Sequence, residues 1–227
     1  MSIEFIAFLG IGTTAMFLTM LFGQRKRRRV ALWKLPIAAI LLTAVGVFGA
    51  KIMFFVESGR WGGTSFFGAV FLAPVLMAAV ALLLRVHIAD LLDLCAPAEC
   101  VMLAILKVQC FLVKCCCGRT LWQTDSGVTV VFPSQIAELC NALVLMAVLL
   151  LLMRKETMRG KIYPMYMVLY GGTRFCLNLL RETTPFLLGL PAGNFWSLIS
   201  IFIGGVWLLL TRRSQGDRNE KHTESIA

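Results

Sequence analysis

The chain has 227 residues, of which 59% are hydrophobic and 15% charged, with a mean hydropathy of +0.81. A soluble domain carries about a quarter charged residues, so this composition excludes one and points to an all-α integral membrane protein. The formal charge of +10 does not indicate nucleic-acid binding, because the basic residues sit in short clusters beside apolar runs and form no soluble basic domain.

About 20 apolar residues span a bilayer at 1.5 Å per residue. Runs of that kind cover 3–23, 35–56, 65–84, 96–117, 136–153, 163–180 and 194–211, which predicts about seven transmembrane helices. No basic residue precedes the first run, and Arg25-Lys26-Arg27-Arg28-Arg29 follows it. A signal peptide has the opposite order, so the first helix is expected to stay in the protein with its N-terminus outside. The second run contains Lys51, and a short loop with Glu57, Arg60 and Gly62-Gly63 follows it. The third run ends at Arg85. The fourth is interrupted by Glu99, Lys107 and Lys114, and a polar loop leads on to the fifth, which carries Glu138. The sixth carries Arg174. The seventh is closed by Arg212-Arg213 and a polar tail, 214–227, expected to be cytoplasmic and unstructured.

Charge placement tests this count. With the N-terminus outside, the inner side receives Arg25 to Arg29, Lys34, Arg85, Arg154, Lys155, Arg159, Lys161, Arg212, Arg213, Arg218 and Lys221. The outer loops hold Arg60, Arg119 and Arg181, with Lys114 near the outer end of the fourth span. That asymmetry obeys the positive-inside rule, and six or eight spans would place a large basic cluster outside. The C-terminus is then cytoplasmic.

Most of the eight cysteines lie within apolar runs. The triplet Cys115-Cys116-Cys117 lacks the spacing and the histidines of a zinc site, and three consecutive helical residues point about 100° apart. Buried thiols acting as small hydrophobes are expected, with no metal.

The chemistry-bearing residues are the cations inside the spans. A basic side chain at mid-span costs about 2.5–3.5 kcal/mol on insertion scales, so it usually lines a cavity. Lys107 and Arg174 lie near the middle of their runs, whereas Lys51 is close enough to an end to reach the interface. The intramembrane acids available to them are chiefly Glu99 and Glu138, so a pocket of largely unpaired cations is expected. Such a pocket suits an anionic headgroup, because Arg forks two hydrogen bonds onto a phosphate and Lys adds a point charge. Gly62-Gly63-Thr64-Ser65-Phe66-Phe67-Gly68 and Tyr170-Gly171-Gly172-Thr173-Arg174 place paired glycines beside it, where backbones approach closely.

These segments resemble, in order, the motifs of the bacterial phosphatidylglycerol–prolipoprotein diacylglyceryl transferase family. Gly49-Ala50-Lys51 is similar to that family's Gly-Ala-Arg, and Gly62 to Gly68 to its Gly-Gly-x-Ser-Phe-His-Gly. The stretch Lys107-Val108-Gln109-Cys110-Phe111-Leu112-Val113-Lys114-Cys115-Cys116-Cys117-Gly118 resembles Arg-Ile-Gly-Cys-Phe-Leu-Ala-Gly-Cys-Cys-Tyr-Gly. Phe132-Pro133-Ser134-Gln135-Ile136-Ala137-Glu138 resembles His-Pro-Thr-Gln-Leu-Tyr-Glu, and Tyr170 to Glu182 resembles Tyr-Gly-x-x-Arg-x-x-x-Glu-x-x-Arg-Glu. The departures are Phe67 at a functional histidine, Lys51 and Lys107 at arginines, and Cys115 and Asn178 at glutamates.

The resemblance implies seven spans in the bacterial cytoplasmic membrane. It implies transfer of diacylglyceryl from phosphatidylglycerol to a lipobox cysteine thiol in a prolipoprotein signal peptide. Its implied catalytic residues are Arg174, Lys107, Tyr170 and Glu138. Lys51, Gly62, Gly63, Gln135, Arg181 and Gly118 are the implied lipid- and phosphate-binding set. No cofactor and no nucleic acid is implied, membrane lipids are the surroundings, and a monomer is expected. The other expectation is a non-catalytic relative that binds anionic phospholipid or lipoprotein precursors, motivated by Phe67, Lys107 and Asn178.

Overall fold

The computed structural model describes residues 3–24, 30–115, 118–123, 129–181, 185–187 and 189–224. Seven α-helices follow one another among them: α1 (Ile3–Gly23), α2 (Lys34–Ser58), α3 (Phe67–Leu83), α4 (Ile88–Leu112), α5 (Ser134–Leu152), α6 (Ile162–Asn178) and α7 (Ala192–Glu224). Backbone groups in hydrocarbon must be satisfied within the segment, which makes each apolar run a helix. The residues 3–23, 34–58, 134–152 and 192–211 are long and apolar enough to cross a membrane, and α3 is a shorter apolar helix of 17 residues. This is an integral membrane protein built of helices.

The helices pack α1 on α4, α2 on α3, α4 on α5 and α6 on α7. Small residues set the closest of these approaches. Each of Gly49 (α2) and Gly68 (α3) presents its backbone carbonyl where the other's Cβ would stand, so neither accepts a side chain. The Ser65 N–H donates to the Ala50 carbonyl at 2.9 Å and ties the start of α3 to α2.

Two expectations about α4 change. It begins well before 96, because Asp90 and Asp93 are buried partners and not solvated loop residues. Arg159 forks onto Asp90 at 2.8 and 2.6 Å, and Asp93 accepts the N–H groups of Gly160 and Ile162 at 2.6 and 3.0 Å. Those last two bonds satisfy donors at the start of α6, which no side chain of its own N-cap satisfies. The Asp90 carboxylate, by hydrogen bond and charge, holds the Arg159 guanidinium above its ordinary value.

At its other end α4 stops before 117. Lys114 takes a left-handed φ of 53°, Cys115 N–H donates back to the Cys110 carbonyl and Lys114 N–H to that of Phe111. This is a Schellman C-cap. Cys116 and Cys117 lie outside the described residues.

The polar loop is more ordered than its composition implies. It holds an antiparallel hairpin, β1 (Thr120–Gln123) with β2 (Thr129–Val131), and a second short pair, β3 (Pro185–Leu187) with β4 (Leu190–Pro191), precedes α7. The polar tail, expected to be unstructured, continues α7 as helix to Glu224.

Candidate active site

The ends of α4 and α6, the start of α5, the end of α2 and the start of α3 meet at one end of the bundle. Together with α1 and the middle of α2 and α4 they line a cavity of about 420 Å³. Its wall is largely apolar, and its polar lining includes Glu57, Ser65, Glu99, Lys107, Glu138, Tyr170, Arg174, Asn178 and Arg181.

Glu138, in the second turn of α5, is the centre of the site. Its Oε2 meets Lys107 Nζ of α4 at 2.6 Å and Arg174 Nη1 of α6 at 2.5 Å, while its Oε1 meets Arg181 Nη1 at 2.9 Å. The acid is buried and the three cations nearly so. The expectation of a pocket of largely unpaired cations is corrected here: one carboxylate collects three of them. A fixed carboxylate offsets like-charge repulsion that would otherwise splay these side chains. Three positive charges against one negative still leave a formal excess of two, suited to an anionic group of two or more oxygens.

A second polar pair stands at the same end. The Ser65 hydroxyl donates to Glu57 Oε1 at 2.6 Å, linking the last turn of α2 to the approach to α3. Phe67 is buried against Tyr170, with ring centroids 5.4 Å apart, and Phe66 meets the same ring edge-on at 5.5 Å. Phe67 therefore fills its position with an apolar wall. Asn178 lies buried where α6 ends, against the backbone at Gly193.

The structure separates the remaining expected residues from this cluster. Lys51 is exposed and lies outside the cavity, over a groove of α1 and α2 formed with Thr13 and Thr43. Gly46, Ala50, Phe54 and Glu57 make the cavity face of α2, and Lys51 is turned about 100° from Ala50. Gln135 donates from Nε2 to the Cys115 carbonyl at 2.6 Å and fixes the chain beyond α4. Gly118 bonds back to the Phe132 carbonyl, against which a Cβ would clash. Gly62 has a φ of 145°, and Gly63 lies under the Phe54 ring. These three glycines shape the backbone around the cavity without lining it. Sequence reasoning placed Glu57 and Ser65 in a loop or motif without a role; the hydrogen bond between them was the missing signal.

The family model described as prolipoprotein diacylglyceryl transferase matches residues 5–211. The chain belongs to this family. It is 25% identical over 233 residues to a phosphatidylglycerol–prolipoprotein diacylglyceryl transferase 2 of Clostridium perfringens, covering 91% of this chain and 90% of that one. It is 32% identical over 107 residues to a phosphatidylglycerol–prolipoprotein diacylglyceryl transferase of Frankia alni, covering 46% of this chain and 28% of that protein. Within the transferase family match lie Lys107, Glu138, Tyr170, Arg174 and Arg181, all of which line the cavity.

Proposed function

We propose that this chain transfers diacylglyceryl from phosphatidylglycerol to the thiol of a prolipoprotein lipobox cysteine. The observation that carries the proposal is the net-positive cluster of Lys107, Arg174 and Arg181 on Glu138 inside an apolar cavity. An apolar wall accommodates acyl chains, and the cluster receives the phosphate.

The reaction displaces phosphate from the glyceryl carbon. Sulfur forms a bond to that carbon as the carbon–oxygen bond breaks, and glycerol phosphate leaves. Charge grows on the departing phosphate oxygen, so donors already fixed around it stabilise the transition state more than the ground state. Arg174 presents a planar fork from α6, Lys107 a point charge from α4, and Arg181 a second guanidinium beyond the end of α6. Glu138 holds these groups in register. Tyr170 meets the Phe67 ring at a tilt and forms the wall beside Arg174.

The orientation follows from charge. Seven spans with the N-terminus outside place the cavity at the outer end of the bundle, in a bacterial cytoplasmic membrane, acting as a monomer. The signal peptide reaches it from the outer leaflet, and phosphatidylglycerol from the surrounding lipid.

The test uses purified full-length protein in vesicles containing labelled phosphatidylglycerol, with a lipobox peptide as acceptor. Wild type forms the thioether product. Arg174→Ala loses at least about 10²-fold in transfer, the usual effect of removing one preorganised donor. Full activity in that variant would remove Arg174 from the mechanism. Lipid binding without turnover by wild type would instead establish a non-catalytic relative.

A further inference from the structure

The cavity holds a further acid, which the cation cluster leaves untouched. Of its lining acids, Glu138 is held by three cations and Glu57 by the Ser65 hydroxyl. Glu99 lies eight residues before Lys107 on α4, about 12 Å deeper along the helix. It is 3% exposed and lines the same cavity.

Two tyrosine hydroxyls face its carboxyl, those of Tyr163 and Tyr166. Glu99 Oε1 lies 3.0 Å from the Tyr163 hydroxyl, but that hydroxyl also lies 2.9 Å from the Val70 carbonyl. One O–H serves one acceptor at full strength, and the carbonyl alone would satisfy it. The Tyr166 hydroxyl faces the same carboxyl, though neither it nor Glu99 Oε2 closes a hydrogen bond of full geometry among the described residues. Leu103 and Met102 on α4 and Phe67 of α3 line the same cavity. A buried carboxyl in a membrane helix, lining a reaction cavity, is a candidate for proton chemistry.

We propose that Glu99 is the acceptor of the thiol proton in the transfer reaction. This rests on the transferase reading above. Displacement at carbon places the incoming sulfur opposite the leaving oxygen. With the phosphate on Lys107, Arg174 and Arg181 near the end of the bundle, the sulfur sits on the deeper side of the carbon, toward Glu99. The thiol proton passes to Glu99 Oε2, the thiolate sulfur forms the bond to carbon, and the carbon–oxygen electron pair leaves on the phosphate. The proton then passes from Glu99 to the released glycerol phosphate. Thiol and phosphodiester give thioether and phosphomonoester, with no oxidant and no water consumed.

The experiment compares wild type, Glu99→Gln and Glu99→Asp in phosphatidylglycerol vesicles from pH 6 to 9.5. Each is given a lipobox peptide with cysteine and a second with selenocysteine, whose selenol is ionised at neutral pH. For Glu99→Gln the expected loss at pH 7 with the thiol peptide is about 10²-fold, the contribution typical of a general base. The loss shrinks to below about tenfold by pH 9.5, because a free thiol ionises near 8.5. It falls within about threefold with the selenol peptide, and phosphatidylglycerol KM stays within about twofold. Should Glu99→Gln not fold, Glu99→Asp shows the same pattern in weaker form: a deficit with thiol that the selenol removes. A deficit equal at every pH and for both peptides overturns the proposal, as does a Glu99→Gln enzyme within about threefold of wild type at pH 7. No transfer by wild type, with either peptide, overturns the transferase reading itself.

Discussion

Glu138 is the residue on which the positions of three others depend. It lies at hydrogen-bonding distance from Lys107, Arg174 and Arg181, and nothing else among the described residues forms an ion pair with more than one of them. Glu138→Gln keeps the shape and removes the charge. Three close cations then lack their counter-charge, and breaking a buried ion pair from one side costs about 3–5 kcal/mol. The expected result is a lowered thermal midpoint in detergent together with at least a 10²-fold loss of transfer, the order seen when a preorganised donor is lost. A variant that unfolds and turns over as wild type does would show that the cations are held by other means. Lys107 and Lys51 illustrate the limits of residue type as a guide. Both are lysines inside apolar runs, yet one faces the cavity and the other faces outward, because the second is one residue past the face that Ala50 defines.

At the scale of elements, α4 is the organising helix. Near its start it holds α6 through Asp93 and the turn before α6 through Asp90. Its middle carries Glu99, and its last turns carry Lys107 before the Schellman cap at Lys114. Asp93→Ala removes the acceptor for two N–H groups at the head of α6. Hydrogen bonds to a charged group contribute about 1.5–3 kcal/mol, so a destabilisation of that size is expected in reversible unfolding in detergent. Because Arg174 rides on α6 more than two turns from this point, phosphatidylglycerol KM should rise less than the stability falls. An unchanged unfolding free energy would mean that water replaces the aspartate at no cost. The hydrophobic pattern showed α4 as a span from 96 to 117, but buried aspartates and a left-handed cap are tertiary and local-backbone events that a hydropathy window does not register.

The described helices form a bundle with a net-positive chamber near one end. The basic clusters of the sequence lie at the opposite end under the topology argued from charge, and the net-positive chamber then opens toward the outer leaflet. A reporter that is active only in the cytoplasm, fused after Ala227, should work, and one placed in the Ser58–Gly62 turn should not. Activity at the second position would invert the topology and move the chamber to the inner face. Under that topology a signal peptide approaching from outside supplies its cysteine at that end, so topology and chemistry are tested together.

The sequence by itself determined the class of this protein. Apolar length dictates helices in hydrocarbon, and the asymmetry of Lys and Arg is what supports the seven-span, N-outside arrangement proposed above. The order of short motifs pointed to Lys107, Glu138, Tyr170, Arg174 and Arg181. Only the tertiary structure decided which of the candidate residues share a space. It gathered three cations on Glu138, turned Lys51 away, gave Gln135 and Gly118 backbone duties and set the buried Glu99 in the wall of the same cavity. The physical reason is rotation. Helical residues one position apart differ by about 100°, and which face meets a neighbouring helix is set by packing such as the Gly49–Gly68 contact, to which no single segment's pattern refers.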